Sequence, residues 1–325
     1  MNPTVQMNTA REDLLEKALF RGGALTLGNP EYEREVRVIA EALLRIDLAP
    51  RDLTVAALGI GNETASAVIL ARESGVAAGL EEWAFVLREF GIVAHFEKRD
   101  GGAFECGDAL LRLEGERSKL PSLERVGLNL MQRMSGIATA TRRLQERARL
   151  RCSSTRIVAT RKTPWGLLDK RAVHLGGGGT HRIGLGDAIL VKNNHLALLA
   201  HREEEAAPIA IERAWAFRKD SAFIEVEVRG EAAALSAARA FRRLQEGTSD
   251  DYPCLLLLDN LTPKEIRSIL GALQRERLWD YALVEASGGI SEANVEAYAE
   301  CGVDAISIGA LTHSARALDL CQRIS

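Results

Sequence analysis

The chain has 325 residues, 46% of them hydrophobic and 27% charged, with a formal net charge of -3. That balance is near the globular average and gives no global attraction to nucleic acid or an anionic membrane, so any anion binding must be local. The five cysteines are odd in number and never spaced as CxxC, which argues against a disulfide framework or a zinc site and fits a reducing cytoplasm. No leader-like segment opens the chain, and apolar runs such as Leu255 to Leu258 are far too short to span a bilayer. The polar start MNPTVQMNTA is expected to be disordered.

The length suffices for two domains. From Arg11 to about Leu48, apolar residues recur at helical spacing around a break at Gly28, Asn29 and Pro30, which predicts two amphipathic helices. Between Ala65 and Arg117, the β-type runs SAVILARE and VAHFEKR alternate with the helical piece LEEWAFVLREFG and with glycine turns, the pattern of a small α+β domain. Leu123 to Leu150 predicts one long helix bridging the two domains, with Arg125 and Arg133 read from charge pattern alone as a solvated face. After Arg151 the runs RIVAT, AILVK, FIEVEV, LLLLD, YALVEA and AISIG alternate with amphipathic segments such as ALSAARAFRRLQ and PKEIRSILGALQ. Buried strands alternating with helices predict right-handed βαβ units and a parallel sheet, with this many units favouring a closed or nearly closed barrel.

Chemistry in such barrels sits at the C-terminal ends of the strands. Those ends carry Arg161 and Lys162, then Lys192 with Asn193 and Asn194, Glu227, Asp259 with Asn260, Ser287-Gly288-Gly289, and Gly309. Any one of these alone is an ordinary solvated rim residue, but together they form a rim of cations, acids and glycine turns. The turns at Gly288-Gly289 and Gly309 let backbone N–H groups approach a ligand and are expected to cradle phosphate, with Ser291 as N-cap and Gly302 as the stop of the helix after the first. A period of two puts Glu225 and Glu227 on one strand face, where a buried carboxylate needs a cation, a hydroxyl or a metal. With Asp259 they suit either Mg²⁺ carried by a diphosphate or the hydroxyls of a ribose. Opposite them, Arg161, Lys162, His181, Arg182 and Lys192 exceed what one monoanion requires and point to a dicarboxylate plus phosphates.

The ordered set LERVGLNLMQRMSGIATATRR, TRKT, GGGGTHRIGLGDAILVKNNH, IEVEV, LLLLDN, EASGGI and ISIGALTHS resembles the quinolinate phosphoribosyltransferase family, over the chain from about Ala65 onward. The resemblance implies an α/β fold in which an N-terminal α/β sandwich precedes an incomplete, seven-stranded type of parallel α/β barrel. It gives a helical extension over 1–48, the sandwich with its bridging helix over 49–150, the barrel over 151–312, and a C-terminal helix over 313–325 packing back on the N-terminal domain. The implied reaction joins the phosphoribosyl group of 5-phosphoribosyl-1-diphosphate to quinolinate and releases CO₂ and diphosphate, giving nicotinate mononucleotide with Mg²⁺ as cofactor. Thr160, Arg161, Lys162, His181, Arg182 and Lys192 match positions binding the quinolinate carboxylates and the diphosphate, with Lys162, Lys192, Glu227 and Asp259 as the catalytic set. Arg125 matches an arginine supplied across a dimer interface, which replaces the solvated-face reading. Glu227 and Asp259 match acids near the ribose and Mg²⁺, and Ser287, Gly288, Gly289 and Gly309 match loops holding the 5′-phosphate. A cytoplasmic homodimer with shared active sites is implied, with a hexamer as the larger alternative.

Two features depart from the pattern. TRKTPWGLLDKRAV is shorter than the family's turn and lacks its arginine, for which Lys170 or Arg171 is the candidate substitute. The helical segment before Ala65 and HREEEAAP near His201 read as surface elaborations. The rival readings are a relative of the molybdate-transport-associated type with another acceptor, a Schiff-base lyase using Lys192, and a non-catalytic binding module.

Overall fold

The computed structural model describes residues 3–48, 52–248 and 251–324. The protein divides into two compact units. One takes the chain through Arg21 with Leu144–Arg161 and Gly178–Ala310; the other takes Gly22–Arg143, Lys162–Gly177 and the chain from Leu311 onward. The helix Lys119–Arg151 contributes to both. The expected boundary at residues 48/49 lies outside the described residues.

The first unit is built on six parallel strands in the order Arg156–Val158, Ala305–Ser307, Leu283–Ser287, Cys254–Asp259, Ile224–Val228 and Ile189–Val191. Every residue of Ile224–Val228 is buried, its two glutamates included, and Cys254–Asp259 is buried up to its last residue; the second is the near-continuous apolar run that a parallel strand covered on both faces requires. A seventh segment joins the sheet only where Gly179 bridges Val158 in parallel. Among the described residues no ladder closes it onto Ile189–Val191, so the barrel is incomplete.

Side chains alternate between faces with period two. Phe223, Leu255, Leu283 and Ala305 lie together in one buried cluster at the starts of their strands. Two residues further along, the same face carries Glu225, Leu257, Glu285 and Ser307; two more bring Glu227, Asp259, Ser287 and Gly309 to the strand ends. The sequence therefore writes an apolar floor, a middle layer holding two acids, and a polar rim.

Leu15, Ala18 and Leu19 of the helix Pro3–Leu19 join that floor cluster. The helical segment is thus an internal part of the barrel unit and not a surface elaboration. Helical geometry from Pro3 also replaces the expected disorder of the polar start, whose first two residues lie outside the described set. Burying a leucine side chain is worth roughly 1.5–3 kcal/mol. Arg11 anchors the helix: its Nε and Nη2 donate to the two carboxylate oxygens of Asp304 at 2.6 Å each. It also donates to the carbonyls of Trp279 and Ala282 and lies 3.9 Å from the centroid of the Trp279 ring.

HREEEAAP is likewise integral. It opens the crossover helix Glu203–Trp215, whose Ala206, Ala207, Ala210 and Ile211 are buried, and three glutamates in the first turn complement the positive helix N-terminus.

In the second unit, the antiparallel strands run in the order Leu320–Ile324, Thr64–Ala71, Ala109–Glu116 and Val93–Phe96. The C-terminal helix expected over 313–325 is corrected: Leu320–Ile324 is an edge strand paired with Thr64–Ala71. Its residues, LCQRI, extend an open edge and satisfy backbone groups there, which outweighs their weak helical pattern. The C-terminus does pack back on the N-terminal sheet.

Removing Arg11 would leave Asp304, which also accepts the Val284 N–H at 2.6 Å, without its cation. Breaking such a partly buried pair from one side costs about 2–4 kcal/mol. Arg11→Ala should lower the unfolding free energy by that amount in urea titration. A change below about 0.5 kcal/mol, the usual surface value, would show that the helix does not anchor the floor.

Candidate active site

The bridge between Val158 and Gly179 sets the geometry of the basic wall. Two parallel segments in register at that pair carry Arg161 and Arg182 three residues beyond it, near enough for the Arg161 charge to act on Arg182. A side chain at position 179 would meet Val158 Cγ1 at 2.8 Å and the Leu19 carbonyl at 2.9 Å. Glycine is therefore required there for the chain to pass, which gives one of the four glycines a defined task. Thr160 is half-buried beside Arg161, which is exposed.

From Gly179 onward the chain is pinned residue by residue. The Thr180 hydroxyl accepts from Arg21 N–H, His181 N–H donates to the Leu19 carbonyl, and Ile183 N–H donates to Asp187, which is ion-paired with Arg21. Arg182 is only 8% exposed. Burial first, then Arg161, holds its guanidinium below its ordinary range, with Glu225 and Asp187 acting in the opposite direction.

His181 does not face outward as the basic-wall reading expects. It adopts φ +52, and its ring points into the middle layer, where Nε2 lies 3.0 Å from Glu225 and 3.3 Å from Glu285. Its Nδ1 accepts the Arg182 N–H at 2.7 Å. Burial pushes the imidazole down and the two carboxylates pull it up by more. The Arg182 N–H aimed at Nδ1 nevertheless requires a lone pair on that nitrogen, so this geometry fixes the ring as the neutral tautomer with its proton on Nε2, against the pull of the carboxylates towards the charged ring. Burial, with Glu285 beside it, pushes Glu225 up to about 7.

On the rim, Glu227 accepts from Asn193 Nδ2 at 2.6 Å, and Arg229 lies 3.7 Å from Glu227 and 3.6 Å from Asp259. Burial and the neighbouring Asp259 push Glu227 up, while Lys192 and Arg229 pull it back. The two acids and Lys192 thus share one electrostatic neighbourhood. Arg229 was missed by sequence reasoning, although it falls in phase with Glu225 and Glu227 and continues their strand face.

Ser287 pairs in register with Asp259, and its hydroxyl accepts from Ser307 at 2.9 Å. Gly288 has φ +91, and a side chain there would meet Asn260 Oδ1 at 2.3 Å. Only glycine fits that turn. The helix after it begins later than expected, at Val295, so Ser291 is not its N-cap; Ser291 N–H instead donates to the Asn294 side chain. Gly302 does terminate that segment, with φ +82. Gly309 directly precedes the short helix Ala310–His313.

Two candidates belong to the second unit. Arg125 is exposed on the helix Lys119–Arg151, and Lys162 is exposed. Arg133, expected on a solvated face, is instead paired with the fully buried Asp169: Nε and Nη2 reach its two oxygens at 2.8 and 2.7 Å. Asp169 also accepts from the Thr163 hydroxyl, and the Arg133 guanidinium lies 5.1 Å from the Trp165 ring centroid. Arg133 further donates to the Thr312 carbonyl, while the Thr312 hydroxyl donates to the carbonyl of Lys162, both at 2.8 Å. The shortened turn is therefore wrapped around one carboxylate. Arg171, a candidate substitute for the missing arginine, is committed to Glu81 at 3.4 Å and Glu82 at 3.9 Å, and Lys170 is buried.

Comparison with known proteins identifies the family of the chain. The family described as Quinolinate phosphoribosyl transferase, N-terminal domain, matches residues 52–135, and the corresponding C-terminal domain family matches residues 137–322. The chain is 40% identical over 284 residues to the "Probable nicotinate-nucleotide pyrophosphorylase (carboxylating)" of Methanothermobacter thermautotrophicus, covering 87% of this chain and 96% of that one. It is 34% identical over 275 residues to the nicotinate-nucleotide pyrophosphorylase (carboxylating) of Mycobacterium leprae, covering 83% and 89%. The crystal structure of NadC from Streptococcus pyogenes superposes with a TM-score of 0.76 at 30% identity, covering 90% of this chain and 96% of that chain. The nicotinate-nucleotide pyrophosphorylase from Francisella tularensis gives 0.75 at 28%, with the same coverage. With both domain families matched in order along one chain, the protein belongs to the quinolinate phosphoribosyl transferase family.

Proposed function

We propose that the protein transfers phosphoribose from 5-phosphoribosyl-1-diphosphate to the ring nitrogen of quinolinate and releases the adjacent carboxylate as CO₂, giving nicotinate mononucleotide in NAD biosynthesis. The observation that carries this reading is the pairing of Arg161 with Arg182, carried just past the Val158–Gly179 bridge and near enough to influence one another, in the same unit as the acids Glu227 and Asp259, which share Arg229. Two guanidinium groups suit two adjacent carboxylates, each by planar charge-assisted hydrogen bonds.

In this reading Arg161, Arg182 and Thr160 hold quinolinate, and Lys162 and Lys192 neutralise the departing diphosphate. Ser287, Gly288, Gly289 and Gly309 receive the 5′-phosphate. Glu227 and Asp259 fit a divalent cation: the Arg229 guanidinium lies within 3.7 Å of Glu227 and 3.6 Å of Asp259, and burial with the neighbouring Asp259 charge pushes Glu227 up, as an acid pair short of positive charge would be. They would hold Mg²⁺ with the diphosphate oxygens, where it would supply charge neutralisation of the leaving group. Cleavage at C1 of the ribose leaves positive charge that the Glu227 and Asp259 carboxylates stabilise. Attack by the ring nitrogen then makes a pyridinium, which accepts the electron pair as the neighbouring carboxylate leaves as CO₂; C2 takes up a proton. The protein orients and neutralises.

The active form is a cytoplasmic homodimer in which Arg125 completes the partner's site, with a hexamer as a compatible larger assembly. No helix among the described residues is long and apolar enough to cross a membrane.

The direct test is incubation with quinolinate, 5-phosphoribosyl-1-diphosphate and Mg²⁺, with nicotinate mononucleotide and CO₂ expected in equal amounts. Turnover of nicotinate in place of quinolinate would overturn the reading, and borohydride trapping of a substrate on Lys192 would favour the lyase. Losing a charge-assisted hydrogen bond costs about 1.5–3 kcal/mol, so Arg182→Ala should raise the KM for quinolinate by about ten- to a hundredfold and that for the donor by less than about threefold. Equal losses would contradict the assignment. Mixed dimers of Arg125→Ala and Lys162→Ala subunits should regain activity through the one site that receives both residues. Absence of any recovery would place Arg125 in its own subunit's site.

A further inference from the structure

The middle layer of the barrel contains three ionisable side chains with no part in the mechanism above. Glu225 and Glu285 are fully buried, and His181 lies between them. Neither carboxylate takes a well-aligned hydrogen bond from any group among the described residues. The nearest polar group to both is His181 Nε2, 3.0 Å from Glu225 and 3.3 Å from Glu285. The ring edge also packs on Phe223, with centroids 5.4 Å apart and planes at 85°.

Such an arrangement is costly. Buried carboxylates without partners are disfavoured, and a non-glycine residue at φ +52 is held in a sparsely populated conformation. The backbone cost falls on the residue that precedes Arg182, whose own N–H is fixed on the His181 ring, and the desolvation cost falls on the two acids that flank that ring. Strain of this kind persists only where the surroundings over-determine it, and here both ring nitrogens are engaged.

The grouping of one histidine and two glutamates within 4.8 Å would also suit a metal ion. The Arg182 N–H on Nδ1 leaves Nε2 protonated, however, and neither nitrogen then offers a lone pair to a metal. The arrangement fits a strut.

We propose that His181, Glu225 and Glu285 are positioning residues: Glu225 and Glu285 hold the His181 ring inside the barrel, and that ring locks the Thr180–Arg182 turn so that the Arg182 guanidinium is presented at the rim. Glu285, fully buried, acts only through His181. The proposal rests on the acceptor-binding role given to Arg182 above, and its consequence is that a buried acid controls acceptor affinity without touching the acceptor.

The test is a double-mutant cycle read by the KM of acceptor and donor, kcat and melting temperature. Glu285→Leu and His181→Phe should each raise the KM for quinolinate by about tenfold or more while the donor KM stays within about threefold. The double variant should be no worse than either alone, because the two act through one contact. Glu285→Gln, which keeps an oxygen for Nε2–H, should recover most of the loss. Replacing a buried acid by leucine need not destabilise the fold, so the melting temperature should not follow the KM. Losses that multiply in the double variant would overturn the proposal, as would losses that track melting temperature, or a metal ion retained through chelator dialysis by the parent and lost from Glu285→Gln. Arg182→Ala, measured alongside, separates the two readings. If it weakens the donor and not the acceptor, the acceptor assignment fails. The strut then stands if the His181 and Glu285 variants move the same constant as Arg182→Ala, and falls if they move a different one.

Discussion

Arg161 and Arg182 bring like charges near one another just past the Val158–Gly179 bridge, and the fold around them is arranged to withstand that repulsion. Burial, and after it the Arg161 charge, holds Arg182 below its ordinary proton affinity. The compensation comes from beneath and beside: Glu225 in the middle layer and Asp187, which also ties down Ile183 N–H and Arg21. In the proposed function a dianion would relieve the remaining repulsion, which makes the pair a preorganised anion site.

That preorganisation depends on a rigid floor. Leu15, Ala18 and Leu19 close the apolar layer under the acids, and the carbonyl of Leu19 receives the His181 N–H directly. The helix that supplies them precedes both regions matched by the family. A segment outside the shared family domains is thus coupled by hydrogen bonds to a residue next to the proposed acceptor ligand. Similarly, the turn after Arg161-Lys162 is held by Arg133 and Thr163 around the buried Asp169.

Much of this was legible in the sequence. The alternation of apolar runs with amphipathic helices predicts the parallel barrel, and a period of two places Glu227, Asp259 and Ser287 at one rim. What remained hidden were features set by partners distant in sequence. LCQRI becomes a strand because Thr64–Ala71 offers it an edge, not because of its own pattern. Arg133 reads as solvated because its partner, Asp169, is 36 residues away. His181 reads as a site cation beside Arg182, and only the fold shows that its left-handed backbone turns the ring inward, towards two acids on different strands. Arg11 is paired with Asp304 across 293 residues, which no local spacing could signal.

The account turns on the claim that the paired guanidinium groups recognise two adjacent carboxylates rather than one. Calorimetric titration of the protein with quinolinate and with nicotinate, at equal ionic strength, measures this without turnover. One additional carboxylate held by charge-assisted hydrogen bonds is worth about 1.5–3 kcal/mol, so quinolinate should bind about ten- to a hundredfold more tightly than nicotinate. Equal affinity for the two, or preference for nicotinate, would contradict the account.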